Sequence, residues 1–212
     1  MTARTRTQRK WDAWFRDLLA WPLKGVLKGD DLTGAVDVIM PSLVAQAEKL
    51  PPGAGGIVAT DWLNGRRTPF ADQTMTGTIS GLTLGSTAPM IFRALVEATC
   101  FGSKAIIDHL RAEGVQVRAI NAIGGISSKS PMVMQIMADV LDMPIRVMRS
   151  GQACALGAAM YAAAASGIHT SISEAQKAMS AGYMAEYTPE PDAHKAYMDL
   201  YQKYRRLLEV RQ

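Results

Sequence analysis

A glycine pair, Gly124-Gly125, closes an alternating apolar run at residues 117–123 and is followed by Ile126, Ser127, Ser128, Lys129 and Ser130. A helical pattern then begins at Pro131. Glycine has no Cβ, so the chain can turn sharply there and a ligand can come close to backbone N–H groups. The following helix aims its first N–H groups into the same space, where they favour an anion. Strand, glycine turn, hydroxyl residues and helix entry therefore point to a nucleotide phosphate. Ser127, Ser128 and Ser130 offer hydroxyl donors and Lys129 a charge. A tight strand-to-helix turn that holds no ligand would use the same residues, so the glycines alone leave both readings open. The pattern is not G-x-x-x-x-G-K-[ST], and the usual P-loop arrangement does not apply.

Two further groups of residues bear on the chemistry. Asp61-Trp62-Leu63-Asn64-Gly65-Arg66-Arg67-Thr68-Pro69 ends a short apolar run in a loop with a carboxylate, an amide and two guanidinium groups. Arginine at such a place can clamp a phosphate or carboxylate with two parallel hydrogen bonds. Equally, Asp61 can pair with an arginine simply to hold the loop's shape. Ala155-Leu156-Gly157-Ala158-Ala159 is a run of small residues expected to let a helix pack tightly under a neighbouring loop or sheet. Gly157 inside a helix costs about 1 kcal/mol relative to alanine, a cost that close approach of another backbone would explain.

The elements that must carry these residues follow from pattern and punctuation. The chain has 212 residues, 48% of them hydrophobic, enough for one large domain with a real core. Residues 11–23 read as an amphipathic helix stopped by Pro22, and residues 32–50 as helical with Pro41 starting or kinking the second part. Pro51-Pro52-Gly53 marks a break. A buried strand is expected at residues 57–62, a strand and turn within residues 74–84, and the longest helix at residues 89–113. Residues 144–148 read as a strand and residues 152–166 as an alanine-rich helix ending at Gly167. Ser171 and Glu174 form a capping box, and the last helix, residues 191–210, gathers Ala196, Tyr197, Leu200, Tyr204, Leu207 and Leu208 on one face for docking. Strands alternating with helices predict an α/β domain whose sheet is made mixed by one antiparallel hairpin.

Composition excludes several classes. Lys and Arg number 23 against 19 Asp and Glu, a formal charge of +4, and Arg4, Arg6, Arg9 and Lys10 supply much of it. That short basic start, residues 1–10, is expected to be unstructured, and the modest excess argues against nucleic acid as a partner. Cys100 and Cys154 lie in apolar sequence with no paired spacing and are expected to be reduced core residues of a cytoplasmic protein. There is no Cys/His cluster with metal-ligand spacing, and no apolar run long enough to span a bilayer.

Four blocks in order carry a family resemblance: D-W-L-N-G-R-R-T-P, then F-R-A-L-V-E-A-T-C-F-G, then N-A-I-G-G-I-S-S-K-S, then Q-A-C-A-L-G-A-A-M-Y-A-A. Together they resemble the carboxy-terminal half of the FGGY carbohydrate kinases, and within that family bacterial L-ribulokinases, over roughly residues 11 to 181. The resemblance implies an actin-like ATPase (ribonuclease H-like) domain, a mixed β-sheet flanked by helices, with extra helices at both ends. It implies a single domain over residues 11–212 and ATP as the nucleotide. Gly124, Gly125 and Ile126 would approach the nucleotide, with Ser127 to Ser130 near adenosine. Residues 155–159 would pack behind that pocket. Asn64, Gly65, Arg66 and Arg67 would face the cleft between two domains.

The departures from the family are as informative. Nothing matches the D-x-G-T-x-S loop or the segment with the catalytic aspartate, so no catalytic residue is assigned. The chain is expected to be the nucleotide-binding half of an ATP-dependent ribulokinase, with Mg2+ held mainly by the other domain. Sugar would bind only with that domain, and the half alone would be inactive. A stand-alone nucleotide-binding module, or one subunit of a split kinase, is the alternative. The open cleft face predicts self-association.

Overall fold

The computed structural model describes the backbone of residues 3–207 and the side chains of residues 11–207. Helix α1 (Ala3–Leu19) is followed by a single 3-10 turn after Pro22, then α2 (Gly29–Asp37) and α3 (Ile39–Ala47), whose third residue is Pro41. α1 takes in most of the basic start expected to be unstructured; the segment holds neither proline nor glycine, so nothing in it opposes helix. Trp11 and Phe15 bury one face of α1, Trp11 against Phe92, while Trp14 and Leu18 stay exposed.

Strands β1 (Val58–Ala59) and β2 (Ile79–Ser80) pair antiparallel as a sheet of their own. The long helix α4 (Ala88–Ala112) opens with a proline in its first turn, where the missing N–H is harmless. A second sheet has the order β3 (Ile120–Ala122), β4 (Ile145–Met148), β5 (Tyr183–Tyr187). β3 and β4 run parallel, with Ile120 opposite Ile145 and Ala122 opposite Val147. β4 and β5 run antiparallel. The sheet is mixed, as expected; the β1–β2 pair stands apart from it, and the antiparallel partner within it is β5, which lies beyond the last strand anticipated. Arg146 and Glu186 form an ion pair across β4 and β5. Between these strands lie α5 (Gly125–Lys129), α6 (Pro131–Leu141), α7 (Ala153–Ala165) and α8 (Ile172–Met179), and α9 (Pro191–Leu207) closes the described chain.

α7 stops at the left-handed Gly167, as the sequence predicts. The capping box is shifted by one residue. Ser171 Oγ accepts from Glu174 N (3.2 Å), while the Glu174 carboxylate accepts from the backbone N–H and hydroxyl of Thr170 rather than from Ser171. Cys100 is buried, but Cys154, expected in the core, is exposed at the start of α7.

A buried polar network ties the helices together. Arg93 Nε donates to Glu97 Oε1 (2.9 Å), its Nη1 to the carbonyl of Ala47 at the end of α3 (2.8 Å), and its Nη2 to the Tyr197 hydroxyl on α9 (2.9 Å). The same Glu97 oxygen accepts from Gly53 N (3.1 Å) and from Tyr197 Oη (3.4 Å). Burial pushes the Glu97 carboxyl up, and the Arg93 charge and these donors oppose that push. α9 is further fixed by Asp139 of α6, which accepts from Glu190 N (2.9 Å) at the start of the helix. Of the docking face predicted for α9, Tyr197, Leu200 and Tyr204 are buried, together with Tyr201, which was not anticipated. Leu208 lies outside the described residues.

Removing one partner of a buried pair strands the other charge without water. Glu97→Ala is expected to cost about 3–5 kcal/mol in urea unfolding, while the apolar pair Arg93→Met with Glu97→Leu loses less than Glu97→Ala alone. Equal losses for the two would contradict the network as described.

Candidate nucleotide turn and cleft loop

β3 delivers the chain to Gly124, whose φ of 97° and ψ of 175° suit glycine alone. A Cβ built on Gly124 or on Gly125 meets no heavy atom within 4 Å, so the turn faces open space. The N–H groups of Gly125, Ile126 and Ser127 open α5, where no preceding helical carbonyl is available to them. The hydroxyls are used differently from expectation. Buried Ser127 donates to the carbonyl of Gly124 (2.7 Å), and Ser128 to that of Gly125 (3.2 Å), so both stiffen the turn. Ile126 is half-buried and packs on the core. Ser130 sits between α5 and α6 with its backbone N–H bonded to the Ile126 carbonyl (3.0 Å). Lys129 is exposed.

The small residues at 155–159 do not pack as predicted. Ala155, Ala158 and Ala159 are exposed, and a Cβ on Gly157 meets nothing within 4 Å. Within α7 only Met160 and Ala163 are buried, and the helix leans on α8. A helix without one charged side chain thus shows most of its surface to solvent.

The cleft loop is a separate, well-pinned structure. Arg66 N donates to the Asp72 carbonyl (2.7 Å), Asp72 N returns to the Arg66 carbonyl (3.1 Å), and Gly65 N donates to the carbonyl of Trp62 (3.0 Å). Gly65 has φ 76°, and a Cβ there would come within 2.9 Å of the Gln73 Cα, so both conformation and space demand glycine. Asn64 and Arg67 are exposed. The arginine does not pair with Asp61 by hydrogen bond. Asp61 Oδ1 instead accepts from the Tyr204 hydroxyl of α9 (2.9 Å), a partner that only the tertiary structure supplies. Burial raises the Asp61 carboxyl, which the Tyr204 hydrogen bond and the Arg66 charge oppose. Gly102 of α4 lies so close that a Cβ would strike the Asp61 carboxylate. No hydrogen bond or ion pair joins the cleft loop to the glycine turn among the described residues. The loop is anchored on α4 and α9, the turn on β3, β4 and α6.

Comparison with known proteins places this arrangement. The model of the FGGY family of carbohydrate kinases, C-terminal domain, matches residues 12–166, and the chain belongs to that family. Among curated relatives, a ribulokinase of Vibrio parahaemolyticus is 42% identical over 92% of this chain and 35% of its own length. One from Shouchella clausii is 37% identical over 90% of this chain and 35% of its length. A xylulose kinase from Rhodospirillum rubrum, 27% identical, superposes with a TM-score of 0.73 over 93% of this chain and 37% of its own. The fold is that of these sugar kinases, the actin-like ATPase fold, and the chain spans about a third of the relatives' length. α9 lies beyond the matched segment, yet it holds Asp61 and Arg93.

The two glycines make opposite forecasts. Gly124→Ala is expected to cost about 1–3 kcal/mol despite the open space, because of its backbone angles. Gly157→Ala in helical backbone with nothing nearby is expected to stabilise by up to about 1 kcal/mol. Thermal unfolding of both variants checks this; a destabilised Gly157→Ala would mean that another backbone does approach it.

Proposed function

We propose that this chain is the nucleotide-side lobe of an ATP-dependent sugar kinase whose acceptor is L-ribulose. The carrying observation is the Gly124–Gly125 turn: backbone N–H groups at the end of a parallel strand, next to space that no protein atom fills. The ribulokinase relatives support the ketopentose and the phosphotransfer. In this reading Gly124, Gly125 and Ile126 lie along the nucleotide, and Ser130 offers its hydroxyl. The Ser127 hydroxyl braces the turn, and its backbone N–H is the group that would meet the nucleotide. ATP fits a site made of backbone donors. Mg2+ would arrive on the phosphates and be held mainly with the other lobe.

Transfer of a phosphoryl group relies on positioning, on charge stabilisation and on a carboxylate that accepts the hydroxyl proton. This chain contributes the cradle; the reading assigns the base and the second phosphate loop to the other lobe. Ground-state contacts to ATP then survive in the chain alone, but the stabilisation special to the transition state does not. No helix among the described residues is long and apolar enough to cross a membrane, and the metabolic role implies the cytoplasm. The cleft face is the surface we expect a second copy of the chain to cover.

Calorimetry should show weak ATP binding that Gly125→Leu abolishes without unfolding the chain, since that side chain would fill the open space. A coupled assay with L-ribulose and ATP should show no turnover. ATP binding unchanged by Gly125→Leu would defeat the site, and turnover above blank would defeat the division of labour. Sedimentation should give a mass above the monomer; a monomer at every concentration would contradict the self-association.

A further inference from the structure

Arg66 is held in an unusual way. Its guanidinium carbon lies 5.2 Å from the centroid of the Trp62 ring and 4.9 Å from that of Phe70. Its backbone is locked by two hydrogen bonds to Asp72, and its carbonyl also accepts from Gln73 Nε2 (3.3 Å). Phe70 is in turn set edge-on against His109 of α4, with centroids 5.3 Å apart. Contacts with ring faces use the charge of a guanidinium and leave its in-plane N–H donors unused. No acceptor takes those donors among the described residues. The two nearby carboxylates feel the Arg66 charge but make their hydrogen bonds elsewhere: Asp61 with Tyr204 (2.9 Å), and Asp72 with the backbone N–H (2.9 Å) and hydroxyl (2.6 Å) of Thr74. Arg66 is half-buried and Arg67 beside it is exposed.

We propose that Arg66 is a preorganised oxyanion receptor, presenting its N–H edge to a phosphate or carboxylate. Tyr204 is a positioning residue for it: by holding Asp61, it keeps that carboxylate from turning to the guanidinium and closing the fork. The aromatic contacts remove most of the rotamer freedom that an arginine loses on binding, which favours capture of a small anion. This site is distinct from the glycine turn, lies on different elements and does not depend on nucleotide binding there.

The probes are inorganic phosphate and acetate, titrated into the whole chain while the 15N-labelled arginine Nε–H signals are followed by NMR. The Arg66 signal is identified by its absence in Arg66→Lys. Phosphate is expected to move it saturably in the millimolar range. Arg66→Lys keeps the charge and the ring contacts but has no planar fork, and its phosphate affinity, read by calorimetry, should fall roughly ten-fold. Arg67→Gln should lower it by no more than about two- to three-fold, the effect of one exposed charge. Tyr204→Phe should weaken binding while circular dichroism stays unchanged. A tighter response to acetate than to phosphate assigns the ligand as a carboxylate and keeps the site. An Arg66 signal that does not respond to either anion overturns the proposal. So does equal phosphate affinity in wild type and Arg66→Lys, which would mean that bulk charge attraction is all there is. Loss of ATP binding in Gly125→Leu with phosphate binding at Arg66 intact separates this site from the nucleotide turn.

Discussion

The buried pair of Arg93 and Glu97 is the constraint on which the arrangement rests. Both charges sit on α4, one turn apart and facing the protein interior. Neither is tolerable there unless its hydrogen-bonding capacity is met, because desolvation of an ion costs several kcal/mol. The partners that meet it are far apart in sequence: the Ala47 carbonyl at the end of α3, the Gly53 N–H in the break before β1, and the Tyr197 hydroxyl on α9. Satisfying one ion pair therefore fixes three otherwise independent segments around α4. Apolar contact alone would not specify their register so closely, since a greasy face can slide at small cost whereas a hydrogen bond cannot.

α9 extends the same logic to the candidate sites. Its first turn is held by Asp139 on α6, the helix that follows the glycine turn, and its last turns by Tyr204 on Asp61, the residue that opens the cleft loop. One helix thus braces both candidate regions, though no direct hydrogen bond joins them among the described residues. The tyrosines on this helix serve both needs. Tyr201, Tyr204 and Phe101 pack with ring centroids 5.5 to 5.9 Å apart, while the hydroxyls of Tyr197 and Tyr204 reach buried charges. α7 is the counterpoint. It carries no charged side chain, yet only its Met160 and Ala163 are buried.

Much of this was legible in advance because it is local. The glycine turn, the helix entry at Pro131, the long α4 and the stop at Gly167 follow from residues adjacent in sequence. The packed face of α9 was legible too, since helical periodicity shows which residues point one way. β5 escaped notice because Tyr183 to Tyr187 has no clean alternation of burial; it is an edge strand, defined by its partner β4. The small residues at 155–159 suggested close packing, but small side chains permit close approach without supplying a neighbour. The hydroxyls of Ser127 and Ser128 looked like ligand donors, and the nearest acceptors proved to be carbonyls three residues back.

By itself the sequence determined where the backbone must bend and which family the chain belongs to, because glycine conformation, proline punctuation and ordered motif blocks are properties of neighbouring residues. Only the tertiary structure decided who partners the charges. Asp61 met a tyrosine 143 residues away in place of the arginine nearby, and the Arg66 guanidinium was left with its ring contacts and no hydrogen-bond acceptor among the described residues. The reason is that charge satisfaction is settled by proximity after folding, and residues distant in sequence leave no periodic trace of the contacts they will make.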